Sequence, residues 1–247
     1  MTDRLRLTVI ACSSLRPELE MLAADAKTAI TFRHLEMGLH ERSAGALHDA
    51  LQSAIDAETD CDAVAIGYGL CNRGVVGLKA RRLPVVIPRA HDCIGMLLGS
   101  SQCYLDQLQT QPGTYFQSAG WLEHSQANVR QPNFTFGPNS NVTRERLVER
   151  YGEEDADYLL EQFAGFTKHY ARLAYIATEA PASARWEAAA KEMADKRNWT
   201  FERLPGDLGW LRRLLNGEWN AREFLTLQPG ERVILTFNES LIGAEPA

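Results

Sequence analysis

Apolar and polar positions fall into blocks that alternate between strand-like and helix-like periods. Leu5-Arg6-Leu7-Thr8-Val9-Ile10-Ala11 is an apolar run that stops at Cys12-Ser13-Ser14. A polar turn leads into residues 15–27, where Pro17 suits a first helical turn. Residues 29–35 read as a second strand. Ser43 caps the next helix, whose apolar residues Leu47, Leu51 and Ile55 recur one turn apart. Residues 62–67 have the character of a buried strand and break at Gly67-Tyr68-Gly69-Leu70-Cys71-Asn72-Arg73-Gly74. Residues 83–88 form another strand, ending at Arg89-Ala90-His91-Asp92-Cys93. A helix over 94–109 and an edge strand over 113–121 follow.

Residues 124–141 are rich in Gln, Asn, Pro and Gly, the composition of a long surface loop. The pattern then predicts a long helix over 143–170, a strand over 172–177, a helix over 183–197, a strand over 200–204, a helix over 208–216 and a strand over 232–237. Alternating strands and helices imply an α/β fold with mostly parallel, Rossmann-like sheets and flanking helices. The break divides the chain into two α/β lobes, 1–125 and 143–247, joined by 126–142. One sheet with a crossing helix is the alternative. No internal repeat is visible.

Composition narrows the class. The chain of 247 residues is 45% hydrophobic and 23% charged, values typical of globular proteins. Lys and Arg total 26 against 32 Asp and Glu, a net charge of −6. That balance argues against nucleic-acid binding, which needs a basic face. No apolar run approaches the ~18 residues of a membrane span. The first residues do not resemble a signal peptide, so a cytoplasmic location is expected. Five cysteines without an export signal then point to free thiols, metal ligands or a nucleophile rather than to a disulfide framework.

Ligands of parallel α/β sheets bind beyond the carboxyl ends of the strands. Cys12, Cys71 and Cys93 each follow a predicted strand. In a common doubly wound order those strands lie side by side, ~4.8 Å apart, so their loop thiols can meet. His91 and Cys93 form a His-x-Cys pair able to chelate one ion, and zinc takes S and N ligands with one position left open for catalysis. Cys71 is the preferred third ligand and Cys103 its competitor. Cys12 is either a fourth ligand or a separate reactive thiol at a helix N-terminus. Cys61 reads as a small buried hydrophobe.

Gly67, Tyr68 and Gly69 would let the backbone pass close to a metal, cofactor or substrate; a phosphate cradle and a simple tight turn are the other readings. Arg73 and Arg89 could clamp a carboxylate or phosphate, unless Arg89 or Arg73 instead pairs with Asp92. Asp92 either orients His91 or caps the helix after it. His40 could reach the same rim, and Trp121 and His124 could line a pocket. Glu179, after the 172–177 strand, is a general acid/base candidate or a helix N-terminal charge.

Several segments together carry a family resemblance: Ala11-Cys12, Leu39-His40, Gly67-Tyr68-Gly69-Leu70-Cys71, Pro88-Arg89-Ala90-His91-Asp92-Cys93-Ile94 with Leu98-Gly99-Ser100, and Gly120-Trp121. The chain resembles the bacterial and archaeal "domain of unknown function" family numbered sixteen-thirty-eight over most of its length, most densely from 62 to 124. That resemblance implies an association with corrinoid-dependent methyl transfer. His91-Asp92-Cys93 is also similar to the His-x-Cys pair of zinc enzymes that move a methyl group from a corrinoid to a thiol. In those enzymes the third ligand follows the pair and the fold is a barrel, whereas Cys71 precedes it here.

The resulting expectation is a zinc-dependent enzyme of methyl or one-carbon transfer. It would act on a small-molecule substrate, with a corrinoid protein as partner and self-association open. Two alternatives stand beside it. One is a lyase or hydratase with a [4Fe–4S] cluster on Cys12, Cys71 and Cys93. The other is a non-enzymatic metal or corrinoid-pathway binding protein, although the corrinoid-carrier Asp-x-His-x-x-Gly run is absent.

Overall fold

A computed structural model describes residues 4–39, 44–128, 144–159 and 169–247. The Ser43 cap, His40 and most of the 126–142 connection lie outside the described residues.

The chain begins with strand β1 (Arg6–Cys12), a 3-10 turn at Ser13–Leu15, helix α1 (Arg16–Ala23) and strand β2 (Ala29–Leu35). Helix α2 (Ala44–Ala57), strand β3 (Ala63–Gly67), the short β4 (Lys79–Ala80) and β5 (Val85–Pro88) follow. The larger sheet has the order β2-β1-β3-β5-β9, where β9 is Phe224–Leu227. Its first four strands are parallel; β9 joins β5 antiparallel. The fold is α/β, and the side-by-side placement of β1, β3 and β5 is the one the doubly wound pattern predicts.

Strand β1 shows why both faces of this sheet are covered. Successive side chains point to opposite faces, and six of its seven residues are buried. Leu7, Val9 and Ala11 pack with α1, whereas Ile10 and Cys12 pack with Leu47, Leu51 and Ile55 of α2. A strand buried on both faces reads as a continuous apolar run, as this one does.

The predicted 94–109 helix is two helices, α3 (Cys93–Leu97) and α4 (Ser101–Thr110). Gly99 between them takes a φ of +78°, which ends the first, and the Ser100 hydroxyl accepts from the Cys103 amide to start the second. Strand β6 (Thr114–Gln117) is shorter than the predicted edge strand, and its latter part is the start of helix α5 (Ala119–Asn128). Helix α6 (Arg144–Tyr151) is the described beginning of the long helix, which is interrupted at Gly152. Strand β7 (Arg172–Ala177), helix α7 (Ser183–Lys196), strand β8 (Thr200–Pro205) and helix α8 (Gly209–Asn216) match the predicted alternation closely.

Strands β6-β7-β8 form a second, all-parallel sheet. A third sheet, β11-β10-β4, is antiparallel and contains β10 (Glu231–Leu235) and β11 (Ile242–Pro246). Chain position does not separate the sheets. β6 belongs with the second sheet despite preceding residue 125, and β9 completes the first despite following residue 143. One apolar core joins the first two sheets, with Val9, Phe116, Ile176, Leu204 and Leu214 in a single cluster.

Candidate functional site

The carboxyl ends of β1, β3 and β5 open on the same side, and their loops are stitched together. The Leu70 amide donates to the Ala90 carbonyl at 2.8 Å, and the Cys71 amide donates to the His91 carbonyl at 2.9 Å. Gly69 makes this possible. A Cβ there would lie 2.5 Å from the Ala90 oxygen and 2.8 Å from the Asp92 nitrogen. The loop glycine therefore serves the close approach of its backbone to the neighbouring loop. Gly67, the last residue of β3, pairs with Ala11 in the sheet.

Cys71, Asn72 and Arg73 have φ values of 39°, 54° and 65°. Three successive L-residues in the left-handed region cost about 1–2 kcal/mol each. Such backbone persists only where its surroundings hold it, and it clusters at functional sites. Here the holding contact is the backbone bond from Cys71 to the His91 loop. Arg73 projects to solvent from this turn.

Cys12, Cys71 and Cys93 are electrostatic neighbours. Burial pushes the Cys71 thiol up, followed by the Asp92 carboxylate and Cys12. Burial, Asp92, Cys71 and Cys12 in that order push up Cys93. The Ser14 hydroxyl donates to Cys12 Sγ at 3.1 Å and also favours the Cys93 thiolate through a hydrogen bond. Tyr68 is 2% exposed, and its hydroxyl is buried beside Cys12. Burial and then Cys12, Cys71 and Cys93 hold the phenol well above its usual range. All three thiols thus act on one buried phenol.

His91 sits differently. Its ring meets the Tyr104 ring edge-on, with centroids 6.4 Å apart. Among the groups that perturb Cys71 and Cys93, the loop contributes Asp92. Asp92 is also the N-cap of α3, accepting from the Ile94 and Gly95 amides at 2.9 and 3.2 Å. Among the described residues, no three His, Cys, Asp or Glu side chains already stand in a geometry that could hold a metal ion.

Other sequence candidates fall elsewhere. Arg89 is occupied structurally: its Nε donates to the Ala221 carbonyl at 3.0 Å, and its Nη1 to the carbonyls of Ser240 (3.1 Å) and Ile242. It ties the end of β5 to the C-terminal segment, with Nε and Nη1 committed to backbone carbonyls. Cys103 is exposed on α4, and Cys61 is buried in the α2-side core. Glu179 is exposed beyond β7 and lines a cleft that has no thiol among its walls.

Sequence reasoning missed Ser14, Glu18 and Gln117. Glu18 is 0% exposed, accepts from the Thr178 hydroxyl at 3.0 Å, and has a second oxygen with no partner. Burial raises its pKa to about 7. Gln117, also 0% exposed, ends β6 with both amide atoms unpartnered. Buried polar groups are normally satisfied, and those of Glu18 and Gln117 lie at or just beyond the carboxyl ends of β1 and β6. An acidic residue in a first helical turn and a glutamine ending a strand carry no sequence signal of this.

No helix of the described residues is long and apolar enough to cross a membrane. No curated protein sequence matches the chain, and no solved structure does. The sequence model of the family described as "Protein of unknown function (DUF1638)" matches residues 34–215, a span that holds Cys71, His91, Cys93 and Glu179 and begins after Cys12; the chain belongs to that family.

Proposed function

We propose that the carboxyl-edge loops of the larger sheet form a thiolate metal centre, with zinc as its ion, in an enzyme of methyl or one-carbon transfer. The observation that carries the metal reading is that Cys12 acts on both Cys71 and Cys93, and all three act on the buried Tyr68 hydroxyl. Thiols pushed up by burial, by Asp92 and by neighbouring sulfur resist ionisation as they stand. A cation reverses that balance, since a coordinating thiol is deprotonated outright. Soft sulfur donors suit zinc, and three protein ligands leave one position open.

In this reading the chain's own groups divide the work. Cys71 and Cys93 hold the ion, with His91 or Cys12 as the further ligand. Ser14 orients two of the sulfurs by its hydroxyl. Asp92 fixes the α3 end from which Cys93 projects. Arg73, exposed at the rim, is the remaining arginine for an acidic end of the substrate. The ion would favour the thiolate form of a substrate thiol or another small nucleophile at neutral pH. One-carbon transfer, the corrinoid-protein partner and a cytoplasmic setting rest on the resemblance and composition described above.

A second reading has one observation in its favour. Cys12, rather than His91, perturbs both other thiols, and three thiolates are the donor set of a [4Fe–4S] cluster with one open iron.

Elemental analysis with an optical spectrum on anaerobically purified protein tests both. About one zinc per chain, lost in Cys93→Ser and in Cys71→Ser, supports the first. A brown protein whose iron is lost in Cys12→Ser and retained in His91→Ala supports the second. Metal-free protein, or metal content unchanged in Cys93→Ser, overturns both.

A further inference from the structure

The second sheet has a ligand-binding edge of its own. Strands β7 and β8 are parallel neighbours in register from Arg172↔Thr200 to Ala177↔Pro205. Their carboxyl ends therefore open together, the position at which parallel α/β sheets take small molecules. A cleft of about 380 Å³ lies there, within the range of small-molecule sites. Its walls include Thr178, Glu179, Arg203, Asp207 and Arg212.

The rim is held by backbone bonds. The Gly206 amide donates to the Ala177 carbonyl at 2.8 Å, and the Asp207 amide to the Leu97 carbonyl at 2.9 Å. The loop after β8 is thus pinned to β7 on one side and to the end of α3 on the other. Thr178 is fixed from behind, where its hydroxyl donates to the buried Glu18.

The charges sort into committed and uncommitted groups. Arg203 Nε pairs with Glu187 at 3.2 Å, and Asp207 Oδ1 accepts from the Gly209 amide at 2.7 Å. Glu179 and Arg212 are both exposed. Among the described residues, neither side chain has an ion-pair or hydrogen-bond partner, and they are not paired with each other across the cleft they share. One fixed cleft therefore presents a free carboxylate and a free guanidinium to a single occupant.

We propose that this cleft binds a small zwitterion of the α-amino-acid type, its carboxylate on Arg212 and its ammonium on Glu179. A guanidinium matches a carboxylate bidentately. The carboxylates of Glu179 and Asp207 disfavour an occupant that carries only negative charge, and the two arginines disfavour one that carries only positive charge. This site stands apart from the thiol centre and does not depend on its metal.

Calorimetric titration of the full chain with the standard α-amino acids tests the proposal, with acetate, methylammonium and inorganic phosphate as single-charge probes. Saturable binding of at least one amino acid is expected, with each single-charge probe weaker by about tenfold or more. Glu179→Gln and Arg212→Ala should each weaken the amino acid by about tenfold. Both side chains are exposed, so melting curves should match the wild type. Arg232→Ala, in the distant β10–β11 hairpin, should bind normally. No saturable binding by any amino acid up to about 10 mM overturns the proposal. So does a single-charge probe that binds as tightly as the best amino acid, or unchanged affinity in both cleft variants.

Discussion

The Thr178 hydroxyl, just beyond β7, donates a 3.0 Å hydrogen bond to Glu18 Oε1 in the first turn of α1. The bond links the carboxyl ends of β1 and β7, in different sheets, through a carboxyl group with no exposed surface. Desolvation raises the Glu18 pKa from 4.5 to about 7, against the opposing effects of its own backbone bond and of Thr178. Glu123 adds a smaller upward push.

Between those two pH values the folded chain keeps a proton that the unfolded chain has released. Stability is therefore highest below the unfolded pKa, falls as pH rises toward 7, and levels off above it. The full loss from this one group is about 3 kcal/mol at most. Glu18→Gln should remove that component. Urea denaturation of the variant at pH 5 and pH 8 (about 5 and about 8, spanning the transition) should show a shallower decline than the wild type. An unaltered slope would contradict the burial of an ionisable group there.

Gly69→Ala should part the two thiol-bearing loops. The added Cβ meets backbone atoms rather than a flexible side chain, so the Leu70 and Cys71 amide bonds must lengthen or break. We expect a loss of about 1–3 kcal/mol in chemical denaturation, together with reduced metal content. Normal stability in Gly69→Ala would mean that the loops do not need their close approach.

The cysteines should differ in reactivity in chelator-treated protein. Thiolates react and thiols do not, and burial together with neighbouring Asp92 holds Cys71 and Cys93 in the thiol form near neutral pH. Cys103 is exposed on α4. Timed iodoacetamide labelling read by peptide mass spectrometry should find Cys103 modified well before Cys71 and Cys93. Equal rates would show that the loop thiols are open to water.

The two loop arginines should separate stability from binding. Arg89→Met leaves three backbone carbonyls without their donor and should destabilise the fold by about 2–4 kcal/mol. Arg73→Gly places the residue best suited to a φ of 65° in the left-handed turn. Its stability should change by less than about 1 kcal/mol or rise slightly, while binding of an acidic substrate should weaken. Thermal melts of the two variants would suffice to reveal a reversal of this order.

The legibility of the fold followed burial. Strand β7 was readable because all six of its positions are buried and the five after Arg172 are apolar or aromatic. Strands β9 and β11 were missed. β9 is four residues long at a sheet edge, and the 242–246 segment alternates Gly, Ala, Glu and Pro with little apolar content. The thiol neighbourhood could be inferred because strand order alone brings the ends of β1, β3 and β5 together. Pairing beyond strand order was not available. Glu18 is buried by Thr178, which arrives 160 positions later, and Arg89 is turned away from the loops by carbonyls more than a hundred positions downstream.

The antiparallel strand β9 has a consequence for biosynthesis. Pro88 and Phe224 are partners, so β5 waits for a neighbour made 136 residues later. Until then the growing chain carries an unpaired, apolar strand margin, a template for pairing with other chains. Ribosome-bound intermediates that end before β9 should be the aggregation-prone species, and chaperone dependence should drop once that last margin is sealed.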